Sequence, residues 1–291
     1  MKKTFLYLLA VLFVFGSASY LVAQDNLEKA KQLAKDKKFE EAQNLLEKII
    51  DENDKNAEAH YVLGRVYMAL KEFEDASDSF EEAVELEKDN SEYHFRLGSA
   101  YGADARESNI ISQAILAPKI KTQFEIAVTL DGNNIGARIG VAQFYLQAPG
   151  FMGGDVDKAL EQGEALLTLD EPQGRMILAQ AYQSKEQMDL AEEQYRLLLD
   201  KYGNDKKYAG IYNAYGYRLL SQEKYDEAIA AFEKQVELLP ERANSYDSLG
   251  DGYRKAGKLK LAMEQYKKAL EIDPEFESSK DNLEELEDEL K

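Results

Sequence analysis

The chain has 291 residues, no cysteine, and 55 acidic against 36 basic side chains, a formal net charge of -19. The missing cysteine excludes disulfides, thiolate catalysis, cysteine metal sites and lipid attachment through a lipoprotein cysteine. The charge argues against nucleic acid and anionic lipid as ligands, because so acidic a surface repels both. Hydrophobic residues make up 44% of the chain and there are 5 prolines, a balance that favours packed helices over disorder.

Residues 1–23 differ from the rest. Lys2 and Lys3 precede FLYLLAVLFVFG, and SASYLVA then leads into a polar chain. A basic start, a short apolar core and a small residue before polar sequence are the parts of a secretory signal peptide. Cleavage after Ala23 would leave Gln24 as the first residue; an uncleaved anchor is the alternative, since Phe5 to Ala23 carries no charge. On either reading the bulk of the chain is exported, to a periplasmic or envelope location, and any membrane contact runs through this segment alone.

From Asp25 a pattern of small and large residues recurs at a spacing near 34. Small residues stand at Ala30, Gly64, Gly98, Val141, Ala179, Gly216 and Gly250, and again at Ala42, Ala76, Ala159, Ala191, Ala228 and Ala262. Large ones stand at Leu33, Tyr67, Tyr101, Phe144, Tyr182, Leu219 and Tyr253, answered by Leu46, Phe80, Phe124, Tyr195, Phe232 and Tyr266. Small positions let two helices approach and large ones fill the space between them.

The clearest copy is ANSYDSLGDGYRKAGKLKLAMEQYKKALEIDPEF, residues 243–276. With Tyr246, Leu249, Gly250, Tyr253, Ala262, Tyr266, Ala269 and Pro274 at their offsets, it resembles a tetratricopeptide (TPR) repeat, a helical hairpin of 34 residues. The resemblance implies an all-α solenoid of about seven repeats over 25–276, closed by a capping helix over 277–291. Gly163 stands where the fourth large residue of the second helices should be.

Two consecutive repeats are longer than the period, with inserts near 102–120 and 147–157. The first, GADARESNIISQAILAPKIK, is unusually apolar for a loop; the second, QAPGFMGGDVDKA, offers Asp155 as a helix N-cap behind flexible glycines. The phrase APGFMGGDVDKA, with AYG and QFEIAVTLDGNN upstream, is similar to a subgroup of exported bacterial TPR proteins. Both inserts lie between the first and second helix of their repeats, so they are expected on one edge and within reach of each other. Phe151 and Met152 are candidates for docking a partner.

No motif for chemistry stands out. His60 and His94 are 34 residues apart at one repeat position and are expected to pack rather than bind metal, for no further ligand completes a coordination shell. APGFMGGD lacks the Lys-Ser/Thr ending of a phosphate-binding loop. We expect no catalysis, cofactor or metal. The TPR resemblance implies a concave groove lined by the first helices, and its groove positions fall on Tyr61, Arg65, Met68, Phe95, Arg138, Tyr145, Tyr217, Asp247 and Asp251. The expected function is to bind an extended peptide or partner protein there; the alternative is a self-associating structural or assembly subunit of the cell envelope.

Overall fold

A computed structural model describes residues 24–289; the leader or anchor expected over 1–23 lies outside them, as do the last two residues. Every regular element among the described residues is helical. The chain folds as two compact units that part between Asp170 and Glu171, a boundary no linker composition announces.

The first unit holds four hairpins. They pair α1 (24–35) with α2 (Phe39–Glu52), α3 (Ala57–Leu70) with α4 (Phe73–Leu86), α5 (Ser91–Glu107) with α6 (Ile110–Leu130), and α7 (Ile135–Gln147) with α8 (Val156–Leu166). The second unit pairs α9 (Glu171–Ser184) with α10 (Met188–Tyr202), α11 (Gly210–Ser221) with α12 (Tyr225–Leu238), and α13 (Ala243–Lys255) with α14 (Leu259–Ile272). Helix α15 (Glu277–Glu289) closes it, as the capping reading expected, with Leu286 fully buried against Ala262 and Tyr266. Each unit is thus a stack of sequential hairpins, the TPR-type solenoid that the pattern implies.

Local chemistry sets the hairpin ends. Asn56, Asn90 and Asn134 cap α3, α5 and α7, accepting from the amides of Ala59, Tyr93 and Ala137 at 3.1, 3.3 and 2.9 Å. Each offers a short acceptor to an amide that has no partner inside its helix. Between first and second helices the chain turns on one residue of positive φ: Lys37, Lys71, Glu186, Glu223 and Gly257, at 59° to 71°. The amide that follows donates back across the turn, as from Glu72 to the Tyr67 carbonyl at 3.0 Å and from Lys224 to that of Leu219 at 3.0 Å. This is the helix-terminating bond of a left-handed C-terminal cap. Four of the five residues are not glycine, so nothing in the composition signals the turn.

Packing follows the small-and-large pattern. A Cβ added to Gly64, Gly216 or Gly250 would lie 2.8, 2.4 or 2.5 Å from the ring of Phe80, Phe232 or Tyr266. The rings fill the gaps those glycines leave, and all three are fully buried. A second device joins successive hairpins. Tyr67, Tyr101, Tyr145 and Tyr253 donate their hydroxyls to Glu47, Glu81, Glu125 and Glu233, each 20 residues earlier on the preceding second helix. Where Leu219 replaces the tyrosine, Glu192 instead accepts from Tyr215 at 2.7 Å and pairs with the buried Arg218.

Two outcomes test this account. A left-handed conformation costs a residue with a side chain about 1–2 kcal/mol, and a glycine there gives back roughly 0.4–1 kcal/mol through the unfolded chain. Lys71→Gly is therefore expected to stabilise the protein by up to about 1 kcal/mol in urea unfolding. Burial first, and then the Glu81 carboxylate, raise the Tyr101 hydroxyl above its ordinary value of 10.0. A group raised on folding contributes stability below its unfolded pKa, and that contribution is lost as the pH climbs toward the folded one. Stability should fall as the pH rises above 10, and Tyr101→Phe should flatten that fall.

Candidate functional site

The regular pattern breaks at the third and fourth hairpins. Expected as a loop, the first insert is helix: α5 has 17 residues and α6 has 21, against 14 each in α3 and α4. Ser108 and Asn109 alone form the turn, and the Asn109 side chain accepts from the amides of Ile111 and Ser112 at 3.0 and 3.2 Å. That cap, ahead of IISQAILA, starts α6 two turns early and leaves an overhang. Pro118, which has no amide hydrogen to give, marks where the overhang joins the regular helix.

The second insert is a tight turn. Gly150–Met152 make one 3-10 turn, Gly153 has φ of 101°, and a Cβ on Gly154 would lie 1.8 Å from the Ala148 carbonyl oxygen. Asp155 caps α8 as expected, accepting from the amides of Asp157 and Lys158 at 3.1 and 3.2 Å. The two inserts meet, for the Cβ position of Gly153 lies 3.4 Å from the Lys121 side chain.

Between them opens a cavity of about 570 Å³. Its walls include Met68 from α3, Phe95 and Gly102 from α5, Phe144 from α7, Ala117 from the α6 overhang and Met152 from the turn. Arg106 is the one charged residue in that wall. A Cβ at Gly102 would meet nothing within 4 Å. On the same inserts stand exposed apolar side chains: Ile110 at 66%, Ile111 at 71%, Ile115 at 62% and Phe151 at 86%. Apolar residues are normally exposed singly, and a cluster of them beside a cavity marks a binding surface.

Of the expected groove residues, Met68 and Phe95 line this cavity. Tyr61 is half-buried, its ring stacked on Tyr93 with centroids 4.8 Å apart, and the exposed Arg65 lies over the ring, 5.7 Å from its centroid. Arg138 donates to the Gly132 carbonyl at 2.6 Å and to Gln162 at 2.8 Å. Met152 is half-buried against the cavity and Phe151 is exposed.

Four expectations need correction. Tyr145 does not face a groove: it is buried and donates to Glu125 at 2.5 Å, while Phe144, expected to pack between helices, lines the cavity. The assignments exchange because the small residue of α7 is Ala142, not Val141: it stands eight positions after its cap Asn134, as Gly64 does after Asn56 and Gly98 after Asn90. In the second unit, Asp247 is buried and accepts from Ser279 at 2.6 Å and Ser278 at 3.0 Å, both on α15. Asp251 accepts from Tyr217 at 2.7 Å and from Tyr266 at 2.8 Å. Asp247 and Asp251 thus belong to a network that seats the closing helix, while Tyr217, bonded to Asp251, stays exposed.

The two histidines take matching structural bonds. His60 lies 2.9 Å from the Asp54 carbonyl oxygen and His94 2.9 Å from that of Lys88, with the other ring nitrogen of His94 2.6 Å from the Gln123 amide. Among the described residues no three His, Asp or Glu side chains are placed to hold a metal, and no helix is long and apolar enough to cross a membrane.

Two family models match the chain, both of the tetratricopeptide repeat, over residues 33–97 and 209–275. The hairpins within those two spans match the tetratricopeptide repeat. A TPR protein of Arabidopsis thaliana, the chloroplastic tetratricopeptide repeat domain-containing protein PYG7, is 34% identical over 89 residues, 31% of this chain. The chain spans 30% of that relative's length. The fold resembles a crystal structure of a TPR protein from Parabacteroides merdae at a TM-score of 0.71 and 16% identity, covering 91% of this chain and 98% of that one. It also resembles yeast Tom70, at a TM-score of 0.66 and 16% identity, over 88% of this chain and 52% of that one. TPR arrays are scaffolds that bind proteins or peptides, with neighbouring hairpins presenting an extended surface.

The buried carboxylate of the TPR cap gives a further expectation. Burial raises Asp247 above its ordinary 3.8, against the opposing effect of the Ser279 hydrogen bond. A carboxylate raised on folding stabilises the fold at low pH and loses that contribution as the pH rises through the folded pKa. At neutral pH its buried charge therefore costs the folded state stability. Asp247→Asn is expected to raise the unfolding temperature at pH 7, and the difference from wild type should vanish below pH 3.8 in calorimetry.

Proposed function

We propose that this TPR protein is an exported, non-catalytic scaffold that binds an extended segment of a partner protein in the first unit. The observation that carries the reading is the apolar cavity between Met68, Phe95, Phe144 and Met152, beside exposed Ile110, Ile111, Ile115 and Phe151. It has the volume of a ligand pocket, roughly 300–1,000 Å³, and it lies among first-helix residues, the face that the TPR resemblance assigns to partners. Tyr61 and Arg65 extend that face along α3. An aromatic ring, an arginine and an apolar pocket together are the usual anchors of a protein interface.

Gly102→Leu tests the cavity. The position is open, so the added side chain enters the cavity without displacing a neighbour, and replacing a helical glycine favours the helix by up to about 1 kcal/mol. Partner capture should be lost with the unfolding temperature unchanged or raised. Undiminished capture would remove the cavity from the reading.

Export is supported by the Lys2–Lys3 start and the apolar run that follows. Sequencing the N-terminus of the protein isolated from the cell envelope should give a start near Gln24. An intact Met1 in the membrane fraction would make the segment an anchor.

A further inference from the structure

Charge in the first unit is sorted by helix. Helix α4 carries six carboxylates and no base, and α2 carries five carboxylates and one lysine. The first helices differ. Arg138 is the single charged residue of α7, and α3 has one charge of each sign, Glu58 and Arg65, with Glu58 held by Lys31 at 2.5 Å. Sixteen uncharged residues run from Ile139 through Gly154, and eleven from Ser108 through Pro118. Both runs contribute to the cavity wall. The cavity therefore sits in the least acidic part of a strongly acidic chain.

The arginines on this face add a sign. Arg96 is paired with Glu92 at 2.7 Å, but Arg65 and Arg106 have no carboxylate within ion-pair distance among the described residues. Arg65 lies over the Tyr61 ring, and Arg106 forms part of the cavity wall. In a chain with 55 acidic side chains against 36 basic ones, a carboxylate is the commonest charged neighbour an arginine could have. These two guanidinium groups, with Arg138 on α7 bonded to the Gly132 carbonyl and Gln162 rather than to a carboxylate, leave arginine charge unpaired beside an apolar cavity.

We infer that the partner segment is itself acidic, with a bulky apolar side chain that enters the cavity and flanking carboxylates that meet Arg65 and Arg106. The inference rests on the cavity being the binding site. The geometry of a guanidinium suits a carboxylate, which it can hold through two parallel hydrogen bonds. At physiological ionic strength charges interact over a Debye length of about 8 Å, so the partner at contact meets the local arginines rather than the net charge. Long-range repulsion still opposes its approach. Salt is therefore expected to speed association while it loosens the complex.

A library of random 12-residue peptides displayed on phage and selected on the purified full-length protein tests this. The selected pool should be enriched in peptides with Phe, Leu, Ile or Met flanked by Asp or Glu. For a labelled peptide from that pool, fluorescence anisotropy should show Kd weakened at least tenfold by the double variant Arg65→Gln, Arg106→Gln, with an unchanged melting curve. Gly102→Leu should abolish binding. A pool dominated by basic or uncharged peptides, or one that yields no binder, overturns the inference. So does a Kd indifferent to the arginine variant; if Gly102→Leu still abolishes binding, the cavity stands and only the partner's charge was misassigned. Binding that survives Gly102→Leu removes both. A dimer in sedimentation that Phe151→Ser dissolves would give the cavity to a second copy of the chain, and overturn the acidic partner.

Discussion

One contact repeats through both units: the ring of a second helix seated where the first helix has no side chain. Phe80 against Gly64, Phe232 against Gly216 and Tyr266 against Gly250 bring the paired helices to a separation that any Cβ would prevent. Burying a large ring contributes on the order of 1.5–3 kcal/mol, and the dispersion gained depends on a fit within tenths of an ångström. The other regularities depend on that separation. The left-handed turn must fold the chain back at the spacing the ring dictates, and the Glu–Tyr bonds then join hairpins whose geometry is already set. Phe124 meets the constraint on two sides, lying against Gly98 of its own hairpin and Gly140 of the next, as Phe232 lies against Gly216 and Gly252.

The cavity forms where this rule is relaxed without being broken. Helices α5 and α6 keep the Phe124 contact at their paired ends but run past it, so their extensions have no neighbouring hairpin of equal length to pack against. An extended pair whose second helix starts with the apolar run IISQAILA, with no hairpin of equal length beside it, leaves both a recess and an apolar edge. The turn at 150–154 borders the recess without filling it, since Met152 reaches the wall and Phe151 points to solvent. The proposed binding surface is thus a product of unequal helix length, built on an otherwise regular frame.

Much of the frame was legible in the sequence, because the spacing of small and large residues is the packing itself written out. The N-caps at Asn56, Asn90 and Asn134 were also open to view, at intervals that carry the insert. The turns were not: Lys37, Lys71, Glu186 and Glu223 accept a left-handed conformation that their side chains disfavour, so they leave no local signal. Six tyrosines stand 20 residues after a glutamate and four of them make that bond, a spacing that points Tyr145 to the seam rather than the groove. The candidate site was less legible. A shift of one position in a helix turns a side chain by about 100°, so taking Val141 for Ala142 was enough to exchange Phe144 and Tyr145. The roles of Gly102 and Arg106 depend on what lies around them in space, which no periodicity expresses.

The turn at 150–154 separates the needs of folding from the needs of the site. A side chain at Gly154 would collide with the Ala148 carbonyl, so a substitution there must pull the turn away from α6. No ring-and-gap contact runs through that turn, and the hairpins on either side could close without it. Damage at Gly154 would therefore leave a protein that accumulates normally in the cell and yet has lost the outer wall of its cavity. In a genetic screen scored on function rather than abundance, this glycine is where the two measures should part.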